Sequence, residues 1–311
     1  MKDLRRDGGL THLARLTPDP TPMEIARTAP ELTALTARWR REGLAWAFVP
    51  TMGALHDGHL ALCRAAARDY PRVLASVFVN PTQFDRADDL ARYPRQPAHD
   101  AEVLRAAGVH ALFLPEVGEV YPDGPASRRP TPDLAGLDAR YEGALRPGHF
   151  AGVVQVVRRL VELVRPAAVF MGQKDAQQVA VLRRAAAQEF WPVEIVTVPI
   201  VREASGLAMS SRNRRLSPAG LAAAATINAC LDAAERGWGA GTPPADLQAA
   251  AKTRLRAAGL APEYFDFVHA DTFEPLGVGE PLAPGGGALI VVAARVEGVR
   301  LIDNRPLPAR G

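Results

Sequence analysis

Segments with strand-like and helix-like patterns alternate from residue 45 to residue 201, and this alternation limits the possible folds more than any other feature. Apolar runs predict strands at 45–49, 73–79, 109–114, 167–171 and 193–201, and amphipathic runs predict intervening helices at 59–70, 97–107, 151–164 and 176–189. Strands that are separated by helices pair in parallel through crossover connections. The sequence therefore predicts an α/β fold built on a parallel sheet.

The pattern changes after residue 201. Alanine-rich stretches predict helices near 218–236 and 244–258, and short strands are expected at 264–269, 288–293 and 299–303. We therefore expect a larger domain at residues 1–200, with its first twenty residues partly disordered, and a smaller α+β lid domain at 201–311. Between the two predicted strands that end at 114 and begin at 167, the Pro- and Gly-rich segment 115–150 is expected to be a long excursion that carries function.

Charge and hydropathy exclude several classes of protein. The 311 residues carry a net charge of only +3, with basic and acidic residues interspersed, so neither a nucleic-acid nor a membrane partner is predicted. No apolar stretch reaches the roughly 18 residues of a membrane span, and the N-terminus lacks a signal-peptide core, so a cytoplasmic protein is expected. Cys63 and Cys230 lie far apart without metal-ligand spacing, and we expect two buried free thiols.

The junction between the first predicted strand and helix reads Val-Pro-Thr-Met-Gly-Ala-Leu-His-Asp-Gly-His-Leu over residues 49–60. Gly53 and Gly58 let the backbone approach a ligand closely, and Asp57 is placed to cap the helix. The free N–H groups of the first turn and the helix dipole stabilise an anion, and His56 and His59 add further donors. This junction therefore predicts a phosphate site.

Polar side chains also follow the second predicted strand. Asn80 and Gln83 can each donate and accept hydrogen bonds, which suits a substrate with hydroxyl and carboxylate groups. An Asn-Pro pair is also an ordinary turn sequence, so the local pattern leaves both interpretations open.

Two further clusters carry positive charge. In Gly-Gln-Lys-Asp at 172–175, Lys174 is placed to reach phosphates; it is one of three lysines in a chain that otherwise uses Arg, which indicates a site for a compact ammonium. A solvated helix start would look similar. In Met-Ser-Ser-Arg-Asn at 209–213, Ser210, Ser211 and Arg212 could clamp the leaving pyrophosphate, although a Ser-rich turn before a helix capped by Ser217 fits equally well.

Taken together, the four motifs at 50–59, 78–84, 172–178 and 202–213 resemble, in order and spacing, the pantoate–beta-alanine ligase (pantothenate synthetase) family of the HIGH-motif nucleotidyltransferase superfamily. The resemblance implies a Rossmann-like nucleotidyltransferase domain with a smaller C-terminal α+β domain. It implies ATP-dependent condensation of pantoate with beta-alanine to pantothenate through a pantoyl adenylate, with release of AMP and pyrophosphate. It also implies magnesium as a cofactor and a homodimer.

The resemblance also implies roles for individual residues. His59 would be the proton donor, and further catalytic residues would be His56, Lys174 and Arg212. Pantoate would be held by Gln83 and Gln178, with Asn80, and Gln83 would also lie near beta-alanine. Asp100 is a weakly supported, indirect magnesium ligand, and Arg146 and His149 match a family segment near the active site without an assigned step. ATP would be bound by Met52, Gly53, Ala54, Leu55, His56, Asp57, Gly58, His59, Gly172, Gln173, Lys174, Asp175, Val201, Met209, Ser210, Ser211 and Arg212.

The sequence departs from the commonest family forms at four positions. Asp57 and Gln173 each replace a Glu, Ala176 replaces a frequent Tyr, and Asp85 stands where Gly is common. Replacing an acid at 173 should favour anion binding, and Asp85 could alter the adjoining loop.

Three other functions share part of this pattern. Another nucleotidyltransferase of the same fold would act on a phosphorylated substrate, which calls for Arg or Lys where Gln83 and Gln178 stand. A tRNA-charging core would be expected to carry a basic, tRNA-sized appended domain, which this sequence does not show. A non-catalytic adenine-nucleotide sensor would not need both histidines and Lys174.

Overall fold

The structure is a computed structural model that describes residues 22–84, 90–91, 93–277 and 287–308. The expected disorder of the first twenty residues and the effect expected of Asp85 concern positions outside the described residues. Everything below refers to the described part of the chain.

A six-stranded parallel sheet forms the core of the first part of the chain. Its strands are β1 (Glu24–Ala26), β2 (Trp46–Thr51), β3 (Arg72–Val77), β4 (Ala111–Phe113), β5 (Ala168–Gly172) and β6 (Glu194–Val198). They lie in the order β1-β4-β3-β2-β5-β6, and every pair is parallel. The predicted α/β fold with a parallel sheet is confirmed.

Helices cover both faces of this sheet. They are α1 (Ala29–Arg41), α2 (Asp57–Asp69), α3 (Pro97–Ala106), α4 (Val117–Val120), α5 (Tyr141–Leu145), α6 (His149–Val164) and α7 (Ala176–Gln188). Apolar residues of β2 pack on both sides, with Phe48 facing one buried cluster and Val49 another. Helices α4 and α5 lie in the segment 115–150, which we expected to be a long excursion.

The strand order reverses at β2, which pairs with β3 on one side and with β5 on the other. In an open parallel sheet, the loops at the carboxyl ends of such neighbours diverge and leave a crevice for a ligand. Here the loops that follow β2, β3 and β5 carry three of the four sequence motifs. The topology thus brings those motifs to one edge of the sheet.

We predicted neither β1 nor α1 from the sequence. Strand β1 has three residues, too few for a periodic pattern. Helix α1 begins with a capping box in which Thr28 Oγ1 accepts from the Glu31 N–H (3.3 Å) and the Glu31 carboxylate accepts from the Thr28 N–H (3.3 Å). The Thr-x-x-Glu pattern was therefore a visible signal for this helix.

The second part of the chain has its own core. It contains α8 (Pro218–Ala224), α9 (Thr226–Gly239), α10 (Pro244–Ala257), and an antiparallel sheet of β7 (Ala261–His269), β8 (Ala288–Val296) and β9 (Val299–Leu307). Leu231, Phe265 and Ile290 are fully buried between helices and sheet. The smaller α+β unit is confirmed, although the single helix predicted at 218–236 is two helices that meet at Ala225. The exact division at residue 200 stays a prediction.

Buried polar contacts join the two parts. The Glu142 carboxylate of α5 accepts hydrogen bonds from Arg300 of β9 (both 2.6 Å) and from the Tyr264 hydroxyl of β7 (2.7 Å). The C-terminal sheet is thereby fixed against the first part of the chain.

Candidate active site

A strained loop connects β2 to α2. Gly53 and Ala54 both have positive φ angles, +84° and 51°, and the fully buried Asp100 carboxylate accepts the N–H groups of Ala54 (3.1 Å) and Leu55 (2.9 Å). A Cβ atom on Gly53 would lie 2.8 Å from Asp100 Oδ2, so this position requires glycine. Asp100, predicted as an indirect magnesium ligand, holds the loop in shape.

The two histidines form a mutual cap at the start of α2. His56 Nδ1 accepts the Gly58 N–H (3.2 Å), and His59 Nδ1 accepts the His56 N–H (3.3 Å). The expectation that Asp57 caps the helix is wrong, because His56 occupies the cap position and Asp57 is the exposed first helical residue. Since both Nδ1 atoms accept, each neutral ring carries its hydrogen on Nε2 and presents a donor.

Both histidine rings are uncharged at neutral pH, because their pKa values are lowered. Desolvation lowers the pKa of His59 to about 3, with further lowering by His56 and Lys174. Desolvation, Lys174 and Arg214 lower the pKa of His56 in the same direction. A bound triphosphate would raise both pKa values, because an adjacent anion favours the protonated ring.

Lys174 lies in a 3₁₀ turn, Gln173–Asp175, that follows β5. Its Nζ atom is 3.7 Å from Asp175 Oδ1, and its charge reaches both histidines. Asp175 occupies the cap position of α7, but its side chain makes no capping hydrogen bond. Gln173, predicted to bind ATP, directs its side chain to Asn304 Oδ1 of β9 (3.0 Å), and its carbonyl accepts from Asn304 Nδ2 (2.8 Å).

The Ser-Ser-Arg motif forms another 3₁₀ turn, Ser211–Arg215, and Ser210 occupies its N-terminal cap position. Ser210 Oγ accepts the Arg212 N–H (3.3 Å), and Met209 Cβ lies 3.8 Å from where a Cβ on Gly58 would stand. The turn is therefore adjacent to the histidine loop. Ser217 caps α8 by accepting the Gly220 N–H (3.0 Å), as predicted, and the clamp at Ser210 and Ser211 stays a prediction.

Tyr93 joins this group although no sequence pattern pointed to it. Its hydroxyl lies beside Ser211 and close to the Arg212 guanidinium, and burial raises its pKa. Its ring packs edge-on against Phe84, with centroids 5.7 Å apart. A lone tyrosine in a polar loop has no periodicity or motif that would reveal such a contact.

Gln83 lies on the other side of the histidine loop, with Nε2 3.0 Å from Met52 Sδ. Asn80 is buried beneath it: Nδ2 donates to Gln83 Oε1 (3.0 Å) and to the Gly152 carbonyl (3.3 Å), while Oδ1 accepts from the Tyr121 hydroxyl (2.9 Å). Both polar atoms of the Asn80 side chain are therefore occupied. The geometry does not favour the predicted contact of Asn80 with pantoate and assigns it the positioning of Gln83.

Arg146 and His149, which had no predicted step, hold the same turn. Arg146 Nη1 must donate to His149 Nε2 (3.0 Å), so His149 carries its hydrogen on Nδ1 and donates to the Gln83 carbonyl (2.8 Å). Burial and then the Arg146 charge lower the pKa of His149 to about 4, so the ring is neutral. Helix α6 also approaches closely, since a Cβ on Gly152 would lie 2.1 Å from the Thr82 carbonyl.

The two neighbouring glutamines of α7 differ in their contacts. Gln177 is buried and donates to the carbonyls of Leu137 (2.7 Å) and Arg140 (2.8 Å), so it anchors the excursion. Gln178 is half-buried and makes no side-chain hydrogen bond within the described part of the chain. Of this pair, Gln178 therefore keeps its side-chain amide available, and its contact with pantoate stays a prediction.

Known proteins with this architecture identify the family. The family model for pantoate-beta-alanine ligase matches residues 24–306. The pantothenate synthetase of Acidiphilium cryptum is 46% identical over 283 residues, covering 91% of this chain and 99% of that protein. The chain belongs to the pantoate–beta-alanine ligase family.

Solved structures of the pantoate–beta-alanine ligase family have the same fold. Pantothenate synthetase from Thermus thermophilus aligns with a TM-score of 0.81 at 43% identity, covering 91% of this chain and 99% of that one. The ligase from Francisella tularensis, solved with beta-gamma ATP and beta-alanine, aligns with a TM-score of 0.73 at 30% identity, covering 91% and 97%. The family resemblance and the Rossmann-like fold inferred from the sequence are confirmed.

Within this family framework, two departures have structural reasons. Gln173 is the donor to Asn304, a contact that an ionised Glu could not make with the same oxygen. Ala176 is buried at the start of α7, where a Tyr would need more space. Val201, predicted to touch adenine through its backbone, is half-buried, and its carbonyl accepts the Met209 N–H (3.0 Å).

In the described residues, no helix is long and apolar enough to cross a membrane.

Proposed function

We propose that the chain catalyses the ATP-dependent condensation of pantoate with beta-alanine to pantothenate, forming AMP and pyrophosphate through a pantoyl adenylate. The observation that carries this proposal is the meeting of two unlike groups at one sheet edge. Lys174, the histidine pair and the adjacent turn that carries Arg212 supply positive charge and donors, and Gln83 beside the histidine loop and Gln178 of α7 supply neutral amides. Charge suits a triphosphate, and amides suit a hydroxy acid.

In the first step, a carboxylate oxygen of pantoate forms a bond to the α-phosphorus of ATP as the bond to pyrophosphate breaks. An anion attacks an anion, so neutralisation of charge dominates the barrier. We assign this role to the Nε2–H groups of His56 and His59, to the Lys174 ammonium and to Arg212. Ser210 and Ser211 would bind phosphate oxygens through their hydroxyls.

The low pKa of His59 limits its proposed role as proton donor. At neutral pH the His59 ring is neutral, and its single ring N–H is the hydrogen on Nε2. Proton donation therefore requires that the triphosphate first raise its pKa. Hydrogen bonding from the neutral ring needs no such change.

In the second step, the amine of beta-alanine forms a bond to the acyl carbon while the bond to AMP breaks. Gln83 would hold this substrate as well as pantoate, since it borders the histidine loop. The adenylate is a mixed anhydride that water would destroy, so exclusion of solvent by the C-terminal part would protect it. No covalent nucleophile is required, because alignment of bound reactants lowers the barrier.

Magnesium would arrive as part of the nucleotide substrate. Among the described residues, no group of three His, Cys, Asp or Glu side chains could hold a metal ion, and both Asp100 oxygens accept backbone N–H groups. Phosphate oxygens and water are the preferred partners of this ion. These side chains therefore do not fit a resident magnesium site, and no step depends on one.

The proposal extends to assembly and location. A second copy of the chain could cover the exposed Phe190, which is 88% exposed beside a groove of about 700 Å³ lined by Val161, Pro166 and Trp191. Light scattering should then give the mass of a homodimer, and Phe190→Ser should shift it toward the monomer.

Cys63 and Cys230 are buried free thiols, as predicted, which fits a reducing cytoplasm.

The test of the activity is the dependence of AMP formation on each substrate. The purified protein should form AMP and pyrophosphate in steady state only when ATP, pantoate and beta-alanine are all present. AMP release without either acid, or without a requirement for beta-alanine, would contradict the proposal. A phosphorylated alcohol that replaced pantoate would indicate a different nucleotidyltransferase.

A further inference from the structure

Asn304 of β9 binds the lysine turn from a position 130 residues away in sequence. It is 3% exposed, and its Nδ2 donates to the carbonyls of Gln173 (2.8 Å) and Lys174 (3.0 Å). Its Oδ1 accepts from Gln173 Nε2 (3.0 Å). All three of these side-chain hydrogen bonds reach the turn that carries Lys174.

The preceding residue, Asp303, holds a second loop of the site. Its carboxylate accepts from Arg202 Nη1 (2.6 Å) and Nη2 (3.0 Å), and Arg202 Nη1 also donates to the Gly206 carbonyl (3.1 Å). Arg202 begins the loop that leads to the Ser-Ser-Arg turn. Two consecutive residues of one strand therefore position both segments that supply cations.

The lysine side chain itself has few constraints. Within the described residues, its ammonium has one ionic partner, the half-exposed Asp175 at 3.7 Å. A flexible four-carbon side chain is aimed mainly by its backbone, and the backbone on either side of Lys174 Cα is bonded to Asn304 through the Gln173 and Lys174 carbonyls. Loss of Asn304 would free that backbone.

We propose that Asn304 is a positioning residue for adenylate formation: it fixes the Gln173–Asp175 turn so that the Lys174 ammonium meets the phosphates. This inference rests on the proposed function of Lys174. The second step involves no triphosphate, so it depends less on Asn304. A displacement of about 1 Å in a reacting group can cost on the order of a hundredfold in rate, so Asn304→Ala should slow the first step by roughly tenfold to a hundredfold.

The experiment separates the two steps. Single-turnover release of pyrophosphate from ATP and pantoate measures the first step, and reaction of supplied pantoyl adenylate with beta-alanine measures the second. We expect Asn304→Ala to slow the first as stated and the second by less than about threefold. Equal slowing of both steps, or a first step at the wild-type rate, would overturn the inference.

Arg305→Met is the matched control. Arg305 is the next residue of β9 and also makes three side-chain hydrogen bonds, to Glu235 (2.7 Å), Asn228 (2.9 Å) and Asp232 (2.6 Å) of α9, none of which reaches the lysine turn. Its loss should lower the unfolding temperature while leaving the ratio of the two step rates unchanged. A control variant with the same selective loss of the first step would overturn the assignment to Asn304.

A double-mutant cycle distinguishes positioning from general stabilisation. If Asn304 acts through Lys174, Asn304→Ala should slow a Lys174→Ala background by less than about twofold, whereas independent effects would multiply. Multiplication would overturn the inference. If Asn304→Ala does not fold, the nearly isosteric Asn304→Asp, which removes both Nδ2 donors, replaces it with the same expectations.

The cycle also separates this inference from the proposed function. A slow Lys174→Ala with Asn304→Ala at the wild-type rate would overturn the positioning role alone. A Lys174→Ala enzyme at full rate would overturn the role of Lys174 and, with it, that of Asn304.

Discussion

At the scale of single residues, the chemistry depends on where a few charges and hydrogens sit. The lysine at 174 stands in an Arg-rich sequence, and its side chain is 17% exposed between the histidine loop and Asp175. A compact ammonium can approach a phosphate there, whereas a planar guanidinium needs room for its fork.

Lys174→Ala should reduce turnover by at least about a hundredfold, because it removes one preorganised donor of transition-state charge. Lys174→Arg keeps the charge but not the shape and should recover only part of that loss. Steady-state AMP formation measures both variants. Full activity of the Arg variant would contradict the compact-ammonium interpretation.

The pKa of His59 links acid to stability. Its folded-state pKa, about 3, lies below the ordinary value of 6.5, so the unfolded chain binds the extra proton first as the pH falls. The contribution of neutral His59 to the free energy of unfolding is complete above about pH 6.5. It declines below that pH by up to about 1.4 kcal/mol per pH unit. His59→Gln should therefore flatten the fall in urea midpoint between about pH 7 and about pH 5.

If His59→Gln kept the wild-type dependence of the urea midpoint on pH, the lowered pKa of His59 in the folded state would be contradicted.

The sequence could indicate groups whose chemistry is local. The histidine pair and Lys174 follow directly from motifs, and their catalytic roles stay predictions. The surroundings of Asn80 do not follow from its motif, since its amide is used by Tyr121 and Gly152, which come from distant parts of the chain. A sequence shows that an amide is present but not whether its hydrogen bonds are already made.

At the scale of elements, the loop between β2 and α2 gains its shape from Asp100. The carboxylate holds two consecutive N–H groups of a left-handed turn, so it acts as a replacement for regular backbone pairing. Helix α3 supplies this residue from outside the motif.

Asp100→Asn should weaken the loop, since an amide offers one accepting oxygen for two N–H groups. We expect a loss of about 1–3 kcal/mol in the free energy of unfolding and a higher KM for ATP. The magnesium concentration needed for half-maximal rate should stay within about twofold of the wild type. A much larger magnesium requirement would restore the predicted role of Asp100 as an indirect ligand.

Strands and helices with long periodic patterns were predictable, and the three-residue strand β1 was not. The capping box of α1 was present in the sequence without being used, whereas the break at Ala225 between α8 and α9 falls inside an alanine-rich run with no local stop signal. Thr226, Ile227 and Asn228, which follow the run, are weaker helix formers than alanine but do not stop a helix, so packing decides where the chain turns.

At the scale of the whole molecule, the C-terminal sheet contacts the candidate site from outside the parallel sheet. The buried contact of Glu142 with Arg300 fixes the sheet in place, and β9 then reaches the lysine turn. The two residues of each contact lie more than a hundred positions apart in the sequence. No periodic pattern in the sequence indicates such a pairing. The family resemblance gave the architecture, but not these contacts.

Glu142→Gln should destabilise the fold strongly, because Arg300 loses a buried charge partner. Breaking such a pair typically costs about 3–5 kcal/mol, and the remaining bond of Arg300 to Glu263 should place the loss at the lower end. Urea unfolding measures the change. An exposed pair such as Arg140–Glu274, broken by Glu274→Gln, should cost less than about 1 kcal/mol.

The central claim is that a pantoate carboxylate oxygen becomes bonded to the α-phosphorus of ATP. Pantoate labelled with oxygen-18 in both carboxylate oxygens tests this most directly, with mass spectrometry of the AMP and pantothenate formed. The proposed chemistry predicts one labelled oxygen in AMP and one in the new amide. Unlabelled AMP would show that no pantoate oxygen was bonded to the α-phosphorus. It would contradict the pantoyl adenylate and the roles proposed for the residues around it.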